Sequence, residues 1–188
     1  MTIPIFETKR LIMRAPTLED APSYLKNFND WEVIRYLSDA VPWPYPDTGI
    51  VDFLENIVFP TQGTDRWLWG LFLKSAPKEM IGGVDLWRMK EGTPENRGFW
   101  LARKLWGQGL MPEAVVPVTD FAFNELGFEK LIFSNVLGNV ASRRVKEKTG
   151  ARFTGTAPVR AVDPVFTERE LWELTKKDWQ HFRSGSET

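Results

Sequence analysis

The amino-acid sequence predicts an α+β fold in which a sheet is covered by helices. Strand-like and helical segments follow one another in mixed order along the 188 residues, which is typical of this class. At the centre, residues 99–126 pass from a strand through a glycine loop into a helix, and no repeat or linker divides the chain. We therefore expect one domain over residues 1–183, followed by a frayed polar tail at 184–188.

The predicted strands are short runs of apolar, aromatic and β-branched residues bounded by turn residues. They lie at residues 10–15, 67–73, 80–89, 99–101, 130–136, 152–157 and 167–175. Within the third strand, Gly82-Gly83 indicates a bulge or a close approach of another backbone. Residues 91–95 are predicted to form a loop.

The predicted helices begin at capping residues or at a proline and carry apolar residues at helical spacing. They start after Thr17, after Asp30, at Asp47, at Pro112, after Asn139 and at Lys177, the last ending at Phe182. Three prolines within residues 41–46 exclude a regular helix there. This segment is either a rigid connection or a wall of a ligand cleft.

The composition excludes several classes of function. The chain has no cysteine, which excludes disulfides, a thiolate nucleophile and cysteine metal sites, and the single His181 excludes a histidine-based zinc centre. The net charge of −1 gives no reason to expect nucleic acid as a partner. No apolar run is long enough to span a membrane and no export signal is recognisable, so we expect a cytoplasmic protein without a membrane partner.

The glycine loop at residues 106–111 predicts an anion site. Gly107 and Gly109 lead into a helix whose first N–H groups lie at the positive end of the helix dipole. A nucleotide-binding P-loop would need Lys and Ser or Thr after Gly109, where Leu110 and Met111 stand. A dinucleotide loop would need a third glycine in place of Pro112. Taken alone, the glycine pair is also compatible with a simple tight turn.

A second motif narrows these alternatives. Residues 139–150, NVASRRVKEKTG, follow the strand at 130–136, and together with the loop they resemble the GNAT family of acyl-CoA N-acyltransferases. The family pattern Asn-x-x-Ser-x-Arg-Val-x-Glu-Lys-x-Gly is matched at every fixed position. Residues 6–14, 18–21 and 97–101 are similar to the RimJ/RimL branch, the ribosomal-protein-alanine N-acetyltransferases. The resemblance implies a GNAT fold with a central mixed, mostly antiparallel sheet of about seven strands flanked by helices.

The resemblance also implies acetyl-CoA as cosubstrate, without a metal. The loop would hold the pyrophosphate, and the pantetheine arm would lie along residues 100–103, where a backbone N–H polarises the thioester carbonyl. Lys104 stands where the family often has Gln or Arg, and Arg144 would meet the nucleotide 3′-phosphate. The implied acetyl-CoA contacts are Trp100, Leu101, Ala102, Arg103, Lys104, Trp106, Gly107, Gln108, Gly109, Leu110, Met111, Asn139 and Arg144.

The catalytic groups are less fully specified by the sequence. Asn139 is placed to cap a helix, and the resemblance adds a contact with pantetheine. Ser142, one turn later, is either a capping or solvent-facing hydroxyl or the general acid that protonates the departing thiolate. Relatives often carry a glutamate base where this chain has Asn96, which cannot accept a proton. The candidates for the base are Asp85, Glu95 and Glu113, and a water relay is an equal alternative.

The sequence therefore predicts an acetyl-CoA-dependent N-acetyltransferase that transfers acetyl to a primary amine by direct attack in a ternary complex. Because Asn96 replaces the usual base, we expect the amine to be the α-amine of a protein or peptide N-terminus. The first alternative is acetylation of a free amino acid, polyamine or antibiotic. The second is a CoA-binding protein without turnover. A monomer and a homodimer remain equally open.

Overall fold

A computed structural model of the chain describes residues 3–88 and 95–185. The described strands are β1 (Phe6–Glu7), β2 (Leu11–Arg14), β3 (Arg66–Leu73), β4 (Ala76–Trp87), β5 (Arg97–Leu101), β6 (Lys130–Val136), β7 (Arg152–Pro158) and β8 (Glu168–Thr175). The helices are α1 (Ala21–Phe28), α2 (Trp31–Ile34), α3 (Gly49–Phe53), α4 (Leu110–Asn124), α5 (Val140–Glu147) and α6 (Lys176–Gly185). Short 3₁₀ turns cover Leu18–Asp20 and Arg103–Leu105, and Leu54–Val58 continues α3 as a π-helical turn.

The strands form two antiparallel sheets. The first has the order β1-β2-β3-β4-β5 and the second the order β6-β8-β7. The predicted α+β class and single domain are confirmed, and the one sheet of about seven strands is instead divided into two sheets with eight described strands. The additional strand, β1, has only two residues, which is too short for a periodic pattern to reveal.

The side chain of Asn96 joins the two sheets. Its backbone N–H donates to the Ile132 carbonyl at 3.0 Å, and its side-chain oxygen accepts from the Ile132 N–H at 2.8 Å. Its amide nitrogen donates to the carbonyl of Lys130 at 3.2 Å, and the residue is only 2% exposed. Beyond this junction β5 and β6 belong to separate sheets. A cleft therefore opens between them.

Helices cover both faces of the first sheet. Along β3, Trp67, Trp69 and Leu71 join the core that contains α4, whereas Leu68 and Phe72 join the core formed by α1, α2 and the α3 region. This alternation is the period of two that a strand buried on both faces requires. The start of α4 is thereby fixed beside the open end of the cleft.

Several predicted boundaries differ from the structure. The terminal helix α6 continues to Gly185, so it includes two residues of the predicted tail. Residues 186–188 and most of the predicted loop at 91–95 lie outside the described residues. The strand β4 begins at Ala76, four residues before the start of the strand predicted at 80–89. Residues 41–46 adopt neither helix nor strand, as their prolines predict.

We expect Asn96→Ala to lower the free energy of unfolding by about 1–3 kcal/mol, because it leaves the buried Ile132 N–H and Lys130 carbonyl without their side-chain partner. Urea unfolding of the two proteins measures the difference. The control is Asn56→Ala, which removes one exposed hydrogen bond to the carbonyl of Asp52 and should cost less than about 0.5 kcal/mol. Equal stability losses in the two variants would contradict a junction role for Asn96.

Candidate active site

A cavity of about 470 Å³ occupies the cleft between the two sheets. One wall is β5 with the glycine loop and the start of α4, and the other is β6 with α5. Val33 and Tyr36 from the α2 region also line the cavity. The glycine loop and the start of α5 therefore face the same cavity.

The glycine loop has the geometry of an anion site. Gly107 and Gly109 have φ angles of +76° and +73°, which side chains rarely adopt. No side chain caps the start of the 15-residue helix α4, so its first N–H groups remain available to a ligand. A Cβ atom on Gly107 would meet nothing within 4 Å, which leaves the backbone open to close approach by a phosphate.

Arg10 supports this loop, and no local pattern in the sequence predicts this role. Its Nη1 donates to the carbonyl of Gln108 at 2.8 Å, and its Nη2 lies 3.7 Å from where a Cβ on Gly109 would be. Glu113 holds Arg10 by accepting from its backbone N–H at 2.8 Å and from its Nε at 2.7 Å. Arg10 therefore adds positive charge beside the predicted pyrophosphate position.

The same contacts argue against Glu113 as the base, for which it is one of three candidates. Its Oε1 also accepts from the hydroxyl of Thr8 at 2.5 Å. Burial alone would raise the pKa of Glu113, but the hydrogen bonds from Thr8 and Arg10 outweigh it and lower the pKa. Glu113 is also absent from the cavity lining. Its contacts give it the role of orienting Arg10.

The backbone of β5 presents donors to the cleft. The Ala102 N–H donates to the Ile81 carbonyl, and the Asn96 carbonyl accepts from the Trp87 N–H, both within the pairing of β4 and β5. By the alternation of antiparallel bonding, the N–H groups of Phe99 and Leu101 point to the opposite side, toward β6. These two donors, and not that of Ala102, are placed to polarise a carbonyl in the cleft.

The predicted acetyl-CoA contacts divide into two groups. Those that line the cavity are Trp100, Leu101, Trp106, Gly107, Gly109, Leu110, Met111, Asn139 and Arg144. Ala102, Arg103, Lys104 and Gln108 do not line it. Lys104 instead pairs with Glu79 on β4, with Nζ 2.8 Å from Oε1, so the expected phosphate contact of Lys104 is not supported. The Trp106 indole donates to the Leu101 carbonyl at 2.7 Å and fixes the entry to the loop.

The start of α5 brings the second motif into the cavity. The side-chain oxygen of Asn139 accepts from the Ser142 N–H at 3.0 Å, which is the predicted N-cap. Ser142 and Arg144 line the cavity, whereas Arg143 turns away and forms an ion pair with Glu170. The ammonium of Lys146 donates to the Ser142 hydroxyl oxygen at 2.7 Å. Sequence reasoning missed Lys146, although its spacing of four from Ser142 predicts a shared helix face.

The three candidate bases occupy different environments. Asp85 lies outside the cavity lining and binds the Arg66 guanidinium with both carboxylate oxygens. Burial raises the pKa of Asp85 to about 6, and Arg66 opposes the rise. Glu95 does line the cavity, where it accepts from the Ser134 hydroxyl at 2.5 Å and from Arg169 at 2.9 Å. Of the three, only Glu95 is in a position to face a substrate.

The comparisons with known proteins agree with this site. The family model described as Acetyltransferase (GNAT) domain matches residues 10–152. The chain therefore belongs to the GNAT acetyltransferases, a family whose members use acetyl-CoA.

The individual relatives share low sequence identity with this chain. The Bacillus subtilis protein named "Probable N-acetyltransferase YjcK" is 33% identical over 95 residues, which cover 50% of this chain and 52% of that protein. The chain thus spans about half the length of this curated relative. The structure of Mycobacterium smegmatis RimJ in complex with CoA-disulfide has a TM-score of 0.79 at 14% identity, covering 97% of this chain and 93% of that one. The Vibrio fischeri ribosomal-protein-S5-alanine acetyltransferase has a TM-score of 0.76 at 18% identity, covering 94% of this chain and 99% of that one. At these identities the structures establish the fold.

Two further features bear on partners. Within residues 3–88 and 95–185, none of the helices has the length and apolar character needed to cross a bilayer. The same ranges contain no group of three or more acidic or histidine side chains arranged to hold a metal ion.

Replacing Gly109 by valine should weaken CoA binding at least tenfold, which corresponds to about 1.4 kcal/mol, because a branched side chain obstructs the phosphate approach. Isothermal titration calorimetry with CoA measures the affinity. Gly127→Val is a matched control, because Gly127 has a similar φ of +70° and open surroundings but follows the far end of α4. An unchanged affinity in a folded Gly109→Val protein would place the CoA site elsewhere.

Proposed function

We propose that the protein transfers the acetyl group of acetyl-CoA to the α-amine of a protein or peptide N-terminus by direct attack in a ternary complex. The loop, the start of α4 and Arg10 would hold the pyrophosphate, and Arg144 would meet the 3′-phosphate. The N–H groups of Phe99 and Leu101 would polarise the thioester carbonyl as a small oxyanion hole. Ser142 would donate its proton to the departing thiolate.

The continuous cavity supports the direct attack. Its lining includes the glycine loop, Ser142 and Tyr36, so the cofactor and the acceptor would share one cavity. The chain has no cysteine, which removes a thioester intermediate on the protein. Holding both reactants in one cavity lowers the entropic part of the barrier.

The carboxylates of the cavity support an α-amine as acceptor, and this observation carries the proposal. Among the described lining residues, Glu95 carries the only carboxylate. This carboxylate already accepts hydrogen bonds from Ser134 and Arg169. The nucleophile must therefore arrive neutral to a useful extent. An α-amine with a pKa near 7.8 is about one-seventh neutral at pH 7, whereas lysine near 10.4 is about 0.04% neutral. The difference is several hundredfold, or about 3.5 kcal/mol.

The fold gives additional support. The similar structure from Vibrio fischeri carries in its name the acetylation of alanine in ribosomal protein S5. Because the identity is 18%, this name suggests the type of acceptor to test first, namely a peptide that begins with a small residue.

The acceptor is tested with two peptides of one sequence at pH 7. The first has a free α-amine and no lysine, and the second has an acetylated N-terminus and a single lysine. We expect kcat/KM to be at least tenfold higher for the first, and to rise with pH as its α-amine deprotonates near pH 7.8. Thiol release and mass spectrometry measure the transfer.

Faster acetylation of the blocked lysine peptide would overturn the α-amine assignment. Free amino acids and polyamines are included as further acceptors in the same assay. If one of them exceeds both peptides in kcat/KM, the acceptor is a small molecule. If CoA binds but no amine stimulates thiol release, the protein binds CoA without turnover.

Ser142→Ala should lower kcat by about 10²-fold, the low end for general acid catalysis, with little change in CoA affinity. Asn139→Ala should instead reduce thermal stability by about 1 kcal/mol through the lost helix cap, together with CoA affinity. Steady-state kinetics and calorimetry on both variants separate the two roles. Full activity in Ser142→Ala would leave the serine a structural role only.

A further inference from the structure

A buried lysine stands behind Ser142. Lys146 is 1% exposed although it lines the cavity, and its Nζ donates to the Ser142 hydroxyl oxygen at 2.7 Å. Ser142 and Lys146 are one turn apart on α5, so the helix fixes their separation. Since the ammonium occupies the hydroxyl oxygen, the hydroxyl proton of Ser142 is directed away from Lys146.

A second buried cation lies beside it. Arg97 is 1% exposed, with its guanidinium carbon 3.9 Å from the centre of the Phe133 ring. Its Nε, Nη1 and Nη2 have no hydrogen-bond partner among the described residues. Lys146 Nζ lies 5.9 Å from the centre of the same ring and 5.4 Å from that of Phe99. Two cations therefore share one aromatic pocket, and neither has an ion-pair partner within residues 3–88 and 95–185.

The other charged groups near Lys146 do not neutralise this pair. Glu95, which precedes β5, attracts Lys146 electrostatically but is hydrogen-bonded to Ser134 on β6 and paired with Arg169 on β8. Burial, and then the charge of Arg97, lower the pKa of Lys146 well below its ordinary value, and Glu95 opposes them. Burial also lowers the pKa of Arg97 to about 9. Lys146 is thus a stronger acid than a surface lysine.

We infer that Lys146 is the proton donor to Ser142, so that Ser142 and Lys146 together protonate the departing thiolate. This inference rests on the proposed acetyl transfer. When the acceptor nitrogen has attacked and the carbon–sulfur bond breaks, the electron pair remains on sulfur. Sulfur takes the Ser142 hydroxyl proton, and the serine oxygen takes a proton from the Lys146 ammonium.

The proton balance closes within the reaction. The acceptor amine loses one proton when it becomes an amide, and one proton ends on the thiol of CoA. The neutral Lys146 recovers its proton from the one that the amine releases. Arg97 acts as a positioning residue, because its fixed charge favours the neutral form of Lys146 and hence the forward transfer.

The test compares Lys146→Met, Ser142→Ala, the double variant and the exposed control Lys177→Met. With acetyl-CoA and a peptide α-amine, Lys146→Met should lower kcat about 10–10²-fold and leave the CoA affinity from calorimetry within about twofold. If Lys146 acts through Ser142, the double variant should be no slower than Ser142→Ala. The melting temperature of Lys146→Met should not fall, because methionine replaces an unpaired buried charge with similar volume.

Two readouts separate proton supply from a structural role. Wild-type kcat should decline at high pH as Lys146 loses its proton, at a pH below that of an ordinary lysine near 10.4, and this decline should vanish in Lys146→Met. With an acetyl thioester of a nitrothiophenol, whose thiolate needs no proton, Lys146→Met should lose less than about threefold in kcat/KM. Lys146→Arg keeps the charge but holds its proton too tightly, so it should be as slow as Lys146→Met.

The outcomes are distinct. Unchanged kcat in Lys146→Met, equal losses with both thioesters, or full activity in Lys146→Arg would overturn the role of Lys146 while acetyl transfer stands. If Lys146→Met does not fold, Lys146→Arg decides the question by the same pH profile. If wild-type protein acetylates no amine, the proposed function fails and the inference fails with it.

Discussion

The position of the cleft depends on the hydrogen bonds of Asn96. A sheet of this width would otherwise continue from β5 to β6, and no room would remain between them. Asn96 forms hydrogen bonds with the backbone of both strands at one point. Beyond it, the backbone N–H groups of β5 that face away from β4 point into the cleft. The same buried amide that closes the base of the cleft thus leaves the N–H groups of Phe99 and Leu101 for a substrate.

Electrostatics then divide the cavity into two ends of different character. At the loop, the positive charge is exposed and comes from backbone N–H groups and Arg10, which suits a doubly charged diphosphate. Below Ser142, the charge is buried, comes from Arg97 and Lys146, and cannot be screened by water. The reacting thioester would lie between these regions, where negative charge appears only while the bond to sulfur breaks.

Local patterns predicted the parts of this arrangement that depend on neighbouring residues. The glycine loop, the cap at Asn139 and the strand at 130–136 were all predicted correctly, because turn, cap and strand preferences are written within a few residues. The contacts of Lys104, Asp85 and Glu113 could not be predicted from neighbouring residues. Their partners are Glu79, Arg66 and Arg10, which only the folded chain brings near. Lys146 was missed for a different reason, since a lysine on a charged helix ordinarily faces solvent.

The contact of Glu113 with Arg10 has a consequence for the N-terminal strands. Thr8 and Arg10 lie in the turn between β1 and β2 and are bound to a residue 103 to 105 positions later, at the start of α4. A ligand that orders the glycine loop must therefore also order this turn, by linkage. Amide hydrogens of β2, which does not line the cavity, should exchange more slowly when CoA is bound. Conversely, an N-terminal fusion that displaces β1 should weaken the affinity for CoA.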